Sequence, residues 1–214
     1  LWTEENVTFE GPFHRFKDVT LLPRPVQKPH PPILVAAIAT PESFIWAGQQ
    51  GYGLMFVPYL SDFQDLAQKL ELYRRTYREA CNGKEPPPPS MAFHLYLAES
   101  TEIARREARP YIEQYIAVFQ ETAAAWVGRQ SAQYRGYEQL HAQLTAMGYE
   151  RVLAEKRAFI GDPIAVLDQV RQMQELFGPI QPEMQVMFGD MEFEKARRSV
   201  ELFGREVLPA LQSC

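Results

Sequence analysis

The run of six apolar residues at 33–38, Ile-Leu-Val-Ala-Ala-Ile, limits the possible folds more than any other part of the sequence. A continuous run of this kind is typical of a strand buried on both faces, as in a parallel sheet. The prolines of the preceding segment, 19–32, fix the backbone and remove donors, which predicts a rigid, extended loop. Thr40, Pro41 and Glu42 then follow the order of an N-cap, a first helical residue and a first-turn acid, so a helix is expected next.

The overall composition excludes several classes of protein. The 214 residues are 46% hydrophobic and 23% charged, which is typical of a globular chain with one sizeable core. A net charge of −5 argues against general nucleic-acid binding, which requires a basic surface. Cys81 and Cys214 are too few and too distant for a disulfide framework, and no Cys or His cluster predicts a metal site. No apolar run approaches the ~20 residues that span a bilayer, so a cytoplasmic protein without membrane association is expected.

Strand and helix patterns alternate along the chain. Further strands are predicted at 53–58, 91–98 and 184–188. Helices are predicted at 41–50, from Ser61 to 81, from Ser100 to about 127, from an Asp162 cap to 177, and at 192–208 with Pro209 at the end. Pro110 is expected to kink or divide the third helix.

These patterns predict a single α/β domain over 1–214. It would consist of a loop region with a short hairpin or meander (1–32), three βα units (33–127), a helical excursion (128–160) and a last helix–strand–helix (161–214). Parallel strands that curl with right-handed crossovers would place every helix on one side. About four βα units make half of a (β/α)8 TIM-type barrel, and such an arc would leave two strand edges and one sheet face uncovered. Because the chain starts at Leu1 rather than Met, it is expected to be a fragment of a longer protein.

Several segments resemble the C-terminal half of the bacterial luciferase-like flavin-dependent monooxygenases. They are residues 19–38, 39–43, 159–163, and 188–191 with 207–209, in the order and spacing of that family. The resemblance implies that the strands are barrel strands five to eight. It implies a reduced FMN, or in some branches the deazaflavin F420, at the C-terminal mouth of the barrel. It also implies oxidation of a small organic substrate with dioxygen, or hydride transfer without oxygen in the deazaflavin branch.

The same resemblance implies a flavin contact after the first strand of the sheet. The cofactor-binding candidates are Ala37, Ile38, Ala39, Thr40 and Ser43. A helix N-terminus with short hydroxyls suits a phosphate, because its free N–H groups and dipole favour an anion. The family carries Glu-Ser where this chain has Ala37-Ile38, so backbone donors and the two hydroxyls remain. The pattern is also that of an ordinary capped helix after a buried strand.

Other candidates lie at the end and in the middle of later strands. Pro58 and Tyr59 end the second strand at the same mouth and are candidates for the substrate pocket, although Tyr59 equally fits a loop aromatic that packs on its neighbours. His94 lies among apolar residues and fits a satisfied core histidine better than a catalyst. No catalytic residue is assigned, because the family's catalytic histidine belongs to strands that precede this chain.

The sequence leaves three functions open. The first is a flavin-dependent monooxygenase of which this chain is a part, with FMN preferred over F420. The second is a non-catalytic half-barrel that is stable only when it pairs with another half or with itself as a homodimer. The third is an unrelated α/β binding domain.

Overall fold

The structure, a computed structural model, describes residues 1–38, 40–124 and 142–212. The chain forms two compact units, residues 1–34 and 35–214. The first unit contains an antiparallel hairpin of β1 (Val7–Glu10) and β2 (Arg15–Val19). The rings of Phe9 and Phe16 stack on this hairpin with centroids 5.5 Å apart. The predicted N-terminal hairpin is therefore confirmed.

A five-stranded sheet forms the centre of the second unit. Its strands are β3 (Leu34–Ala36), β4 (Gly53–Phe56), β5 (Ser90–Leu97), β6 (Ala158–Gly161) and β7 (Gln181–Gln185). The hydrogen-bonded order is β3-β4-β5-β6, and β7 also pairs with β5. Every pairing with β5 is parallel, as the apolar runs predict.

The pairing register shows on which of the two edges of β5 each neighbouring strand lies. Ser90 pairs with Met55 of β4 and also with Gln181 of β7, so β4 and β7 lie on opposite edges of β5. His94 pairs with both β6 and β7, so these two strands also lie on opposite edges. The order β3-β4-β5-β7 therefore follows the chain, and β6 lies on the β4 edge beside the carboxyl half of β5.

The sheet has five strands, one more than the four predicted. The missed strand is β6, of which the first three residues fall at the end of the predicted excursion 128–160. It is short, and the Gly-Asp-Pro sequence that ends it also has the pattern of a helix start. The last strand is β7, at Gln181–Gln185 rather than 184–188. Its polar and half-buried residues lack the continuous apolar run that marks the other predicted strands.

Helices connect these strands. They are α1 (Pro41–Gln49), α2 (Phe63–Ala80), α3 (Thr101–Ala124), α4 (Tyr149–Ala154), α5 (Pro163–Phe177), α6 (Phe193–Leu202) and α7 (Leu208–Gln212). A short 3-10 turn (Pro58–Leu60) follows β4, and a π-helical segment (Phe203–Val207) joins α6 to α7. No helix in the described part of the chain is long and apolar enough to cross a membrane.

Local signals at the helix ends are partly confirmed. Asp162 caps α5 by accepting the N–H of Ala165 at 3.0 Å, and Gly178 ends that helix with a φ of 71°, both as predicted. The cap of α2 is Asp62 rather than Ser61, since Asp62 Oδ1 accepts two backbone N–H groups at 2.9 and 3.0 Å. Pro110 lies inside α3 without dividing it, and α7 continues through Pro209 instead of ending there.

Helices cover both faces of the sheet, which corrects the prediction that all lie on one side. Successive side chains of a strand point to opposite faces. Met91, Phe93, Leu95 and Leu97 of β5 pack in one core with α1, α2 and α5. Tyr96, between them, packs in a second core with the apolar side chains of α3. The face that a bare arc would expose is thus partly covered by α3.

Gly48 of α1 is essential to the close packing of α1 on α2. A Cβ there would lie inside contact distance of Thr76 Oγ1 and 2.9 Å from the carbonyl oxygen of Tyr73. We expect Gly48→Ala to lower the free energy of unfolding by about 1–3 kcal/mol, as overpacking does. Urea denaturation measures this change. Gly204→Ala is the control, because a Cβ there meets nothing within 4 Å; equal effects of the two substitutions would contradict the packing argument.

Candidate functional site

Two turns at the carboxyl ends of β3 and β4 are joined by a hydrogen bond. The Ala37 N–H donates to the carbonyl oxygen of Met55 at 3.0 Å, which holds the end of β3 against β4. The Ser61 hydroxyl then donates to the carbonyl oxygen of Ile38 at 3.1 Å. Ligands of parallel α/β sheets bind beyond the carboxyl ends of the strands, so this is the position where a cofactor is expected. Ala37 is buried and Ile38 exposed, while the predicted Ala39 lies outside the described residues.

The two predicted phosphate-binding hydroxyls lie together at the start of α1. Thr40 is the N-cap but its side chain makes no capping bond. Instead, Thr40 Oγ1 and Ser43 Oγ are 2.9 Å apart, within hydrogen-bond distance. This bond uses one of the two hydroxyl protons, and the other is left for a ligand at the positive end of the helix dipole. Pro41 supplies no N–H, and the carboxylate of Glu42 in the first turn is the unfavourable charge for an anion there.

Tyr59 is buried and its hydroxyl is bonded inside the protein. Pro58 and Tyr59 lie in the 3-10 turn after β4, and Tyr59 is 1% exposed. The Tyr59 hydroxyl lies 2.5 Å from Nδ1 of His94. Burial, followed by the nearby Tyr115, raises the pKa of Tyr59 well above its ordinary value, so the phenol is protonated. Tyr59 thus links the turn after β4 to the middle of β5.

His94 is surrounded by aromatic rings on the face of β5 that packs in the second core. Its ring centroid lies 4.3 Å from Tyr115, 4.5 Å from Phe188 and 5.1 Å from Tyr59. Burial lowers the pKa of His94 to about 3, so the ring is neutral at pH 7. With the Tyr59 hydroxyl donating to Nδ1, the ring proton lies on Nε2. The geometry agrees with the sequence interpretation of a satisfied core histidine.

A cavity of about 400 Å³ opens beside Tyr59 at the carboxyl end of β4. Its lining includes Tyr59, Ser61, Phe63, Met147, Arg151 and Arg157. Tyr59 therefore borders this cavity, whereas Pro58 is not among its described lining residues. Ala37, Ile38, Thr40 and Ser43 are not among its lining residues, although the bond from Ser61 connects the pocket wall to Ile38.

Arg157 is a site residue that the sequence interpretation missed. It is 5% exposed, and its Nη1 donates to the carbonyl oxygens of Pro58 and Ser61, the latter at 2.8 Å. Its Nε donates to Glu155 at 2.5 Å, and its guanidinium lies 4.8 Å from the ring centroid of Phe63. The available signal was a charged residue directly before the apolar strand β6. Arg157 fixes the turn that carries Pro58 and Tyr59.

Comparisons with known proteins show which proteins this chain resembles. A family model described as luciferase-like monooxygenase matches residues 1–178. The oxygenase component of a flavin-dependent trigonelline monooxygenase from Acinetobacter baylyi is 28% identical over 211 residues, which cover 94% of this chain and 54% of that protein. The solved structure of monooxygenase RslO1 from Streptomyces bottropensis is similar with a TM-score of 0.75 and 32% identity, covering 98% of this chain and 57% of that one.

A more distant structure shows the same fold. It is the oxygenating constituent of 3,6-diketocamphane monooxygenase from Pseudomonas putida, in complex with FMN. Its TM-score is 0.66 at 16% identity, over 97% of this chain and 59% of that one. The chain thus spans somewhat more than half the length of each of these three proteins.

The Tyr59–His94 hydrogen bond is expected to stabilise the fold. Tyr59→Phe leaves Nδ1 of His94 buried without its partner, which costs about 1–3 kcal/mol of unfolding free energy. Tyr115→Phe is the matched control, because its ring contacts His94 but no described residue bonds its hydroxyl. Guanidinium denaturation of both variants measures the difference, and equal losses would show that the bond contributes nothing.

The neutral state of His94 predicts a dependence of stability on pH. The folded pKa of about 3 lies below the ordinary value of 6.5, so the stabilisation is complete above pH 6.5 and is lost as the pH falls towards 3. The slope approaches ~1.4 kcal/mol per pH unit, or about 2 kcal/mol between pH 6.5 and 5. His94→Asn should lose this part of the pH dependence in denaturation curves. Parallel pH profiles of the two proteins would refute the assignment.

Proposed function

Because the chain belongs to the luciferase-like monooxygenase family, we propose that it is part of a flavin-dependent monooxygenase that oxidises a small organic substrate. The observation that supports this best is the joining of the turns after β3 and β4 by the Ser61–Ile38 bond. It brings the proposed cofactor residues beside the proposed substrate residues at one end of the sheet.

The residues present fit a flavin mononucleotide. The backbone of Ala37 and Ile38 would contact the ring system, since the exposed Ile38 follows the end of a strand. The hydroxyls of Thr40 and Ser43 would bind the phosphate, with Ala39 between them and the strand. Reduced flavin supplies the reaction with dioxygen that oxidises the substrate. The protein's part is to bind the flavin, exclude water and orient the substrate.

Tyr59 is proposed to form part of the wall of the substrate pocket, and Pro58 precedes it in the same turn. Their buried turn is held by Arg157, and Tyr59 borders the cavity of about 400 Å³. This volume lies within the range of small-molecule sites, roughly 300–1,000 Å³. Tyr59 also holds His94 in place through the hydroxyl bond. Neither residue is assigned a catalytic role.

We further propose that β3, β4, β5 and β7 are strands five to eight of a (β/α)8 barrel. Their sequential order across the sheet supports this, as does the share of the relatives' length that the chain spans. Residues that perform the oxidation would then come from the other barrel strands.

A second candidate function is a half-barrel that pairs with another chain or with a second copy. Met55, within β4, and Ile38, after the end of β3, are exposed apolar residues, at 39% and 38%. A second protein surface that covered them would bury this apolar area.

Flavin titration tests the proposed function. We expect the chain to quench FMN fluorescence on binding, and Thr40→Val with Ser43→Ala to weaken the affinity roughly tenfold or more, because hydrogen bonds to a charged phosphate are lost. Thr122→Val is the matched control, since its exposed hydroxyl bonds Val118 within α3, away from this turn.

The outcomes separate the alternatives. Binding of F420 without binding of FMN would identify the deazaflavin branch. Binding of neither, together with a dimer in sedimentation velocity, would favour the pairing half-barrel. Equal FMN affinity in the parent and the double variant would remove Thr40 and Ser43 from the proposed site.

A further inference from the structure

The cavity beside Tyr59 contains an arginine whose position is fixed before any ligand arrives. Nη1 of Arg157 donates to the carbonyl oxygens of Pro58 and Ser61, and Nε donates to the carboxylate of Glu155. The ring of Phe63 lies 4.8 Å from the guanidinium. The side chain is 5% exposed, so it has little freedom left to lose when a ligand binds.

The remaining nitrogen of Arg157 is available to the cavity. No described residue accepts a hydrogen bond from Nη2, and this atom is not among the fully buried polar atoms that lack a partner. Arg157 lines the cavity, so Nη2 is the guanidinium nitrogen that is left for a ligand there.

A second arginine stands close by. Arg151 Nε donates to Glu155 Oε1 at 2.6 Å, while Arg157 uses Oε2 of the same carboxylate. Although burial raises it, the hydrogen bonds from Arg151 and Arg157 lower the pKa of Glu155, so this group is ionised. One carboxylate thus lies between two guanidinium groups, which leaves an excess positive charge in this part of the cavity.

The other acid of the cavity is already neutralised in part. Asp62 lines the cavity, but its Oδ1 accepts the N–H groups of Gln64 and Asp65 at the positive end of the α2 dipole. The helix therefore offsets part of its charge. A carboxylate ligand near Arg157 would meet Nη2 of that residue and the side chain of Arg151.

We propose that this cavity binds the carboxylate of a small organic acid, with Arg157 as its binding residue. The aromatic side chains of Tyr59 and Phe63 and the thioether of Met147 provide apolar contacts for the rest of the molecule. Arginine suits this role because its planar guanidinium matches a carboxylate. The inference rests on the proposed function, in which this cavity is the substrate pocket, and it names the substrate class as acids.

The test uses benzoate and benzamide as probes with the full 214-residue chain, without flavin. Both have the same shape, but only benzoate is charged. Isothermal titration calorimetry should show benzoate binding at least tenfold more tightly than benzamide. Arg157→Gln should weaken benzoate binding roughly ten- to hundredfold, as expected when a hydrogen bond to a charged group is lost, and weaken benzamide binding much less.

Two further variants test the same site, and a third serves as the control. Arg157→Lys retains the charge without the planar guanidinium, and Arg151→Gln alters the cavity without removing the bonds to Pro58 and Ser61. Each should weaken benzoate binding even if Arg157→Gln fails to fold. Arg197→Gln, on an exposed face of α6 where Arg197 pairs with Glu194 and Glu201, should leave benzoate binding unchanged.

Three results would overturn the proposal: equal binding of benzoate and benzamide, benzoate binding that no substitution at Arg157 or Arg151 affects, and binding of inorganic phosphate but not of benzoate. Because flavin is absent, these results are independent of the FMN titration. A chain that binds FMN but not benzoate keeps the proposed function and loses only the substrate class.

Discussion

The burial of β5 on both faces is the constraint on which the rest of the structure depends. All eight residues of Ser90–Leu97 are buried, and the strand pairs with β4, β6 and β7. Where strand pairing ends, the N–H of Leu97 donates to the hydroxyl of Ser199 at 2.8 Å. A strand buried in this way requires helices on both faces, which explains why α3 packs opposite α1, α2 and α5. Buried polar side chains usually have an internal partner, and Tyr59 supplies the one for His94.

The elements that can be predicted from the sequence are those whose signals are local. β3, β4 and β5 have continuous apolar runs, and the Asp162 cap depends only on its own segment. The prediction misplaces β7 because its side chains are only partly buried, which leaves no clear period to recognise. The sequence favours Ser61 as the cap of α2, although both Ser61 and Asp62 suit that position. The carbonyl of Ile38 decides between them, since it accepts the Ser61 hydroxyl and leaves capping to Asp62.

The sequence predicts the candidate site only to the extent that it locates the ends of the strands. That information places Ala37, Ile38, Thr40 and Ser43 at one turn and Pro58 and Tyr59 at the next. It does not show that Tyr59 bonds a histidine 35 residues away, or that Arg157 reaches the carbonyl of Pro58 over a separation of 99 residues. Such contacts depend on how β5 and β6 lie beside β4. A single sequence contains no signal for them beyond the unusual position of a charged residue before a strand.

Burial has opposite consequences for the two basic side chains near this turn. His94 has a phenol and aromatic rings around it, so burial lowers its pKa to about 3 and the ring stays neutral. Arg157 is also buried, but Glu155 and two carbonyls surround it, and guanidinium groups remain charged in proteins. The positive charge in the described lining of the cavity therefore comes from Arg151 and Arg157. These two guanidinium groups share Glu155, which fixes their positions at the cavity wall and makes them the source of attraction for the proposed anionic ligand.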